Sequence, residues 1–311
     1  MQKVNDTSKK FLVDLWDVFK KTAIRWDEAN PWRQSAIIAY YSIFSLPALL
    51  LIIIVMTGYF FGEDAVSNRL SYQIEDMVGK ETASVVESMI ANAADPGTSR
   101  IAFWAGLGFL IFGSTTVFYQ LQLSLNHIWG VVPKPRKAFL KYLKDRLFSF
   151  GLIVAIGFLL LISFILNSLI SIMGDWLKTQ WPDTISSLLN ITNYLIGLIV
   201  VTILFSLMFK ILPDAIIRWK SVWVGSLLTA VLFGLGQWGL SFYFSKADPG
   251  SVYGAAGSVI LILLWASYVS MILLFGAEFT RQWAIKFGHG IKPKESAELV
   301  DMEKKYFHLT E

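Results

Sequence analysis

The stretch YGAAGSVILILLWASYVSMILLFGAEF (residues 253–279) carries one charged side chain, Glu278, in 27 residues. About 20 consecutive apolar helical residues cross a bilayer core of about 30 Å, so this run is long enough to span a membrane. Working outward, five more apolar blocks precede it, and together they predict spans at residues 35–61, 101–128, 147–173, 185–209, 221–244 and 253–279. Hydrophobic residues make up 55% of the 311 positions, and the mean hydropathy is +0.54. A chain with this pattern cannot expose such runs to water. It reads as an all-α polytopic membrane protein with six transmembrane helices.

The spans and their connectors consume most of the chain, leaving one membrane domain at 35–279 and no room for a sizeable soluble one. Residues 1–34 read as a cytoplasmic amphipathic segment and 280–311 as a cytoplasmic tail, mixed in charge from Lys294 onward. The absence of cysteine excludes disulfides, thiolate metal sites and a cysteine nucleophile. The first ten residues are polar, so no cleavable leader is expected.

Charge sets the orientation. Between the second and third spans stand Lys134, Arg136, Lys137, Lys141, Lys144 and Arg146 against Asp145 alone. Lys210, Arg218 and Lys220 outweigh Asp214 between the fourth and fifth, and Arg281, Lys286, Lys292 and Lys294 follow the sixth. The connector 62–100 is acidic instead, with seven Asp and Glu against three Lys and Arg. Positive loops stay on the cytoplasmic side, so both termini are predicted to be cytoplasmic, in a bacterial inner membrane. A net charge of +4 distributed in this way calls for no nucleic acid partner.

Phe11, Leu12, Leu15, Trp16, Val18 and Phe19 form an apolar stripe beside Lys9, Lys10, Lys20 and Lys21. Such a helix either lies in the membrane interface against anionic lipid or packs on the cytoplasmic end of the bundle. Asn30-Pro31 breaks the chain before the first span. Within 62–100, Leu70, Ile74, Met77 and Val78, and then Val85, Val86, Met89 and Ile90, recur at helical spacing, predicting two short helices on the outer face.

Polar residues inside a membrane face the bundle interior or a wet cavity. The second span is fully apolar over residues 101–112 and then reads GSTTVFYQLQLSLNHIWG over 113–130. Gly113, Thr116, Gln120, Ser124 and His127 fall on one helical face, with Tyr119, Gln122 and Asn126 beside it. This half-span lines either a polar cavity open to the cytoplasm or a hydrogen-bonded helix interface. Tyr40, Tyr41 and Ser45 of the first span, with Tyr268 and Glu278 of the sixth, complete the candidate lining. Pro47 predicts a kink in the first span. Gly254, Gly257 and Gly276, with Gly225, Gly234, Gly236 and Gly239 in the fifth span, predict close helix packing.

No Asp, Glu, Lys or Arg falls near any predicted midplane, which argues against ion-coupled transport. The three histidines, His127, His289 and His308, lack metal-ligand spacing, and no hydrolase elbow or phosphate loop is present. No metal, cofactor or catalytic residue is therefore expected.

Three stretches carry a resemblance: AYYSIFSLPALLLIII (39–54), GSTTVFYQLQLSLNHIWGV (113–131) and the run 253–279 quoted above. In identity, order and spacing they resemble the YihY/BrkB family of bacterial inner-membrane proteins, over roughly residues 13–291. Ala48 stands where many relatives have a second proline. The resemblance implies six spans and cytoplasmic termini, and suggests handling of lipid or envelope components. The family was once labelled a transfer-RNA-processing ribonuclease (ribonuclease BN). Three isolated histidines cannot supply the clustered ligands that a metal-dependent nuclease needs, so ribonuclease activity is not expected. The leading expectation is a permease or lipid-handling protein whose partners are membrane lipids. A structural or scaffolding protein is the alternative and an intramembrane enzyme the third reading. The sequence is compatible with a homo-oligomer and names no substrate.

Overall fold

The computed structural model describes residues 2–43, 45, 115–134, 182–247 and 257–299, with positions 151, 155 and 159, and most of these are helical. In chain order the elements are α1 (Gln2–Glu28), α2 (31–43), α3 (115–128), β1 (Val131–Pro133), α4 (Pro182–Ile211), β2 (Ala215–Ile216), α5 (Trp219–Ala247), α6 (Gly257–Phe287), β3 (Lys292–Pro293) and β4 (Ala297–Leu299). Helices α4, α5 and α6 are long and apolar enough to cross a membrane, over Tyr194–Ile211, Trp219–Leu240 and Val259–Phe287. They coincide with the spans predicted at 185–209, 221–244 and 253–279. The spans at 35–61 and 101–128 are described only in part, as α2 and α3. Most of the span at 147–173, the loop 62–100, Pro47 and Gly254 lie outside the described residues.

The α1–α2 joint follows from two residues. Asn30 adopts a left-handed backbone, φ 53°, and ends α1, while its carbonyl accepts from the Gln34 amide to begin α2. Asparagine tolerates that conformation, and Pro31, at the first helical position, gives up an amide that has no helical partner there. Gly130, φ 63°, turns α3 into β1 in the same way.

Helix α5 packs between α4 and α6, and α1 packs along α6. The α5–α6 contact is a reciprocal fit. Thr229 of α5 lies against Gly276 of α6, and Thr280 of α6 lies against Gly225 of α5. A methyl group added to either glycine would overlap the facing threonine hydroxyl. Each threonine donates its hydroxyl to the glycine carbonyl four residues earlier on its own helix, at 2.7 Å. The polar atom is thus satisfied locally while the side chain fills the notch opposite. One turn beyond midway along α5, Gly236 admits the ring of Tyr268. These three contacts fix α5 and α6 as antiparallel neighbours in a single register.

The face of α5 away from α6 is apolar and exposed: Trp219, Trp223, Leu227, Val231, Leu235, Trp238 and Phe242 follow one another at three- or four-residue spacing. In lipid such a stripe costs nothing. Its aromatic pairs, Trp219–Trp223 and Trp238–Phe242, have ring centroids 6.4 and 6.3 Å apart. At 1.5 Å rise per residue the two pairs are about 29 Å apart, close to a bilayer core. Tryptophan concentrates at membrane–water interfaces, and the spacing of the two pairs matches a bilayer core.

Helix α6 continues about two turns past Phe279. Helix α1 packs along this extension. Phe11, Phe19 and Trp26 pack on Phe287, Phe279 and Phe275 at 5.8, 5.0 and 5.8 Å, and Lys286 reaches Asp14 at 2.9 Å and Asp17 at 3.5 Å. Of the two settings the sequence leaves open for α1, packing on the end of the bundle is therefore realised. The hydrogen bond from Lys21, joined by Lys286, holds the Asp17 carboxyl below its usual range. Two short antiparallel pairs, β1–β4 and β2–β3, close the same end and bring residues 292–299 back onto the bundle.

Gly276→Ala is expected to lower the stability of the detergent-solubilised protein by about 1–3 kcal/mol, the usual cost of overpacking. Adding Thr229→Ala should recover part of that loss, because the two side chains compete for one notch. Thermal unfolding of the single and double variants measures both effects.

Candidate functional site

Helix α3 brings its polar stripe to the end of the bundle where the strands gather. Ser124 donates to Gln34 Oε1 at 2.9 Å, joining α3 to α2, and both side chains are buried. Asn126 makes a two-way link to the turn after α4. Its Nδ2 donates to Asp214 Oδ2 at 3.0 Å, and its Oδ1 accepts from the Asp214 amide at 2.8 Å. The Asp214 carbonyl in turn accepts from the Lys294 amide at 2.9 Å, which ties in the strand-bearing tail. Buried polar groups require such partners, and here one asparagine and one aspartate hold three chain segments together.

The last residues of α3 face α6. Trp129 is almost fully buried and donates Nε1 to the Ala277 carbonyl at 3.0 Å, and Arg281 donates to the Ile128 carbonyl at 2.9 Å. Arg281 also lies 3.6 Å from Glu278, whose other oxygen accepts from Gln282 at 2.6 Å. Cations at helix C-termini complement exposed carbonyls and the helix dipole. Lys294 plays the same part at α4, donating to the Ile211 carbonyl at 3.4 Å. Lys210 donates to the Ile217 carbonyl and stands over the Trp219 ring. Around this polar frame packs the apolar core of Leu125, Phe209, Ile217, Val222 and Leu274.

The remaining residues of the stripe are placed differently. Thr116, Tyr119, Gln120 and His127 are half-buried, in contrast to Ser124 and Asn126. On α2, Tyr40 is exposed and rests edge-on against Tyr41 at 5.5 Å, while Ser45 donates to the Tyr41 carbonyl. Tyr268 points toward α5, where Gly236 receives it, while Glu278 joins the frame through Arg281 and Gln282. The structure thus gives Ser124, Asn126 and Glu278 buried hydrogen-bond partners at this end of the bundle, while Gln120 is half-buried and Tyr40 exposed. Gln34, Asp214 and Trp129 complete the frame and are absent from the sequence-derived site. Asp214 carries the one available signal, as a lone acid beside Pro213 in an otherwise basic connector. Among the described residues, no group of three or more His, Asp or Glu is placed to hold a metal ion.

Long apolar helices with an aromatic-bounded outer face and an internally bonded polar end define an integral membrane protein. The chain belongs to the family described as Virulence factor BrkB, whose model matches residues 23–298. It is similar to a UPF0761 membrane protein of Saccharophagus degradans, 28% identical over 289 residues that cover 91% of this chain and 63% of the relative. A UPF0761 membrane protein of Cronobacter sakazakii is 22% identical, covering 83% and 85%, and one of Verminephrobacter eiseniae 24% identical, covering 76% and 54%. The chain thus spans little more than half the length of two of these three relatives. No solved structure matches it.

Asn126→Leu removes both bonds to Asp214 and leaves a buried carboxylate and amide short of partners. A loss of about 1–3 kcal/mol is expected, read as a lowered unfolding midpoint in detergent, whereas Leu123→Ala on the exposed side of α3 should change it far less.

Proposed function

We propose that the protein is a six-span inner-membrane permease or lipid-handling protein with both termini in the cytoplasm. Its polar cavity is lined by Tyr40, Tyr41, Thr116, Gln120 and His127. We read this cavity as open to the cytoplasm, beside the bonded end of the bundle formed by Ser124, Asn126, Asp214, Arg281 and Glu278. One observation carries the reading: one helical face of α3 divides into a buried segment at Ser124, bonded to Gln34, and half-buried positions at Thr116, Gln120 and His127. Helix packing alone accounts for the first segment. It gives no reason for an amide at position 120 that is neither sealed in the core nor replaced by an apolar residue.

The cargo fitting this lining is an amphiphile. Hydroxyls and an amide face its polar part, and the exposed ring of Tyr40 faces its apolar part. Transport rather than catalysis is proposed, and the excess of Lys and Arg around the bonded end, at Lys210, Arg218, Lys220, Arg281, Lys286, Lys292 and Lys294, supports a cytoplasmic position for it. The second reading, a scaffold without transport, is favoured by the Ser124–Gln34 and Asn126–Asp214 bonds, which are of the kind that join membrane helices.

The native chain has no cysteine, so single introduced thiols are read on a clean background. In the cavity reading, Gln120→Cys reacts with a small water-soluble thiol reagent, and Gln120→Leu leaves the unfolding midpoint almost unchanged. Gln120→Leu should also alter the passage of a headgroup-labelled phospholipid in proteoliposomes. No reaction at position 120, combined with a clear loss of stability, decides for the scaffold. Lys292→Cys in intact cells should resist an impermeant reagent until the inner membrane is opened.

A further inference from the structure

The cations from Lys210 to Lys220 and from Arg281 to Lys294 fall into two sets. Arg281, Lys294 and Lys210 donate to the carbonyls of Ile128, Ile211 and Ile217, and Lys286 is paired with Asp14 and Asp17. Arg218, Lys220 and Lys292 are exposed and hold no such position. Among the described residues, none of these three forms an ion pair.

The second set gathers at one place. Arg218 Nη1 lies 2.8 Å from Nδ1 and 3.2 Å from Nε2 of His289, which brings the start of α5 to the turn after α6. Ser221 and Gly288 hold the two segments close, since a Cβ added at Gly288 would lie 3.1 Å from the serine hydroxyl. Lys292 stands opposite Ile216 in the β2–β3 pair, and directly opposed side chains of an antiparallel pair project to the same side. Lys220 follows in the first turn of α5.

Acids do not offset this charge. Residues 215–247 and 279–294 contain neither Asp nor Glu. Asp214 is buried and bonded to Asn126, Lys286 takes Asp14 and Asp17, and Glu278 meets Gln282 and Arg281. Glu295 follows Lys294, at the Asp214 end of the β2–β3 pair and away from Arg218, while Glu298 belongs to the β1–β4 pair. Arginine only donates, so the His289 nitrogen it meets is an acceptor and the ring is neutral. Three positive charges therefore surround a neutral imidazole. The positive-inside bias calls for basic residues in this connector, but not for their convergence on the segment after α6. A cation also opposes the dipole at a helix start, so Arg218 and Lys220 are not placed for the benefit of α5.

The surroundings are apolar. Ile216, Trp219 and Trp223 are 51%, 47% and 45% exposed. Trp219 opens the part of α5 that is apolar enough to cross a membrane. At about 100° per residue, Lys220 shares the outward side of that helix with Leu227 and Trp238. A ligand at this place meets cations and lipid-facing rings together, which fits a phosphate carried on a membrane lipid better than one in solution.

We propose that Arg218, Lys220, His289 and Lys292 form a recognition site for the phosphate of a membrane lipid, with a terminal phosphomonoester as the preferred headgroup. Arg218 supplies forked donors, and the lysines reach the phosphate on flexible stems. A phosphomonoester carries a charge of about −1.5 to −2, which matches three cations more closely than the single charge of a phosphodiester. None of these residues lines the cavity around Gln120, so the site and the cavity stand or fall independently.

The test uses the full chain in phosphatidylcholine nanodiscs supplemented with phosphatidic acid or phosphatidylglycerol, and native mass spectrometry counts the lipids retained. Retention should fall in the order phosphatidic acid, phosphatidylglycerol, phosphatidylcholine. Arg218→Gln should lower phosphatidic acid retention roughly tenfold, as expected for one charge-assisted bond, and the pair Lys220→Gln with Lys292→Gln should do the same. Lys20→Gln removes an exposed charge from α1 and should change nothing. Equal retention of all three lipids by the unaltered chain would overturn the proposal without recourse to any variant. An equal loss in Lys20→Gln would reduce the effect to overall charge and overturn the site. Equal retention of phosphatidic acid and phosphatidylglycerol would overturn the preference for a terminal phosphate. Inorganic phosphate that displaces phosphatidic acid at constant ionic strength would assign the site to a soluble ligand and overturn the lipid.

Discussion

The close approach of α5 and α6 is the constraint on which the rest of the bundle rests. Lipid chains are as apolar as leucine, so no hydrophobic force draws two membrane helices together. They must gain contact by fit. Gly225 and Gly276 supply the notches, Thr280 and Thr229 fill them, and each threonine hydroxyl is satisfied on its own helix. Because both notches lie four residues from a threonine, the contact locks rotation and translation at once. A shift by one turn would set Thr229 against Thr280, side chain against side chain. Everything hung on α6 inherits that register: the Ala277 carbonyl that receives Trp129, the Arg281 guanidinium over Ile128, and the phenylalanines that hold α1.

The polar end of the bundle solves a second problem. Helices α3 and α4 both finish there, each with carbonyls that lack helical donors. Arg281 and Lys294, from the last third of the chain, meet these carbonyls, and Asn126 and Asp214 satisfy each other between them. The frame is assembled from residues that are individually costly in an apolar medium and acceptable only in combination. Gln120, one turn before Ser124 on the same face of α3, is half-buried instead.

Much of this was legible from the run at 253–279 and its neighbours. Three long apolar helices lie where hydropathy set them, and the periodicity of Thr116, Gln120, Ser124 and His127 marked the polar face of α3. Periodicity gives a face but not its partner, so Gln34 and Asp214 were invisible: one lies just before a span, the other looked like an ordinary loop charge. Helix α6 runs on to Phe287, about two turns beyond residue 279, where the expected span ends; that limit bounds the span and not the helix. Helix α1 packs along the extension through Phe11 and Phe19. Strands of two or three residues carry no periodicity at all, and β1 to β4 exist only because the register of the helices brings 131–133, 215–216 and 292–299 together.

The pairing of Val131 with Leu299 joins positions far apart in the chain, and so do the Trp129–Ala277 and Asp214–Lys294 contacts. A membrane protein made from its N-terminus inserts its helices in order, so α3 enters the bilayer long before its partners exist. Ser124 can find Gln34 early, since α2 precedes it. Asn126 must wait for Asp214, and the carbonyls of Ile128 and Ile211 must wait for the final segment. Biogenesis of this chain therefore ends with its polar end, and a ribosome stalled anywhere before Lys294 leaves behind a bundle that is apolar enough to insert but lacks the bonds that join that end.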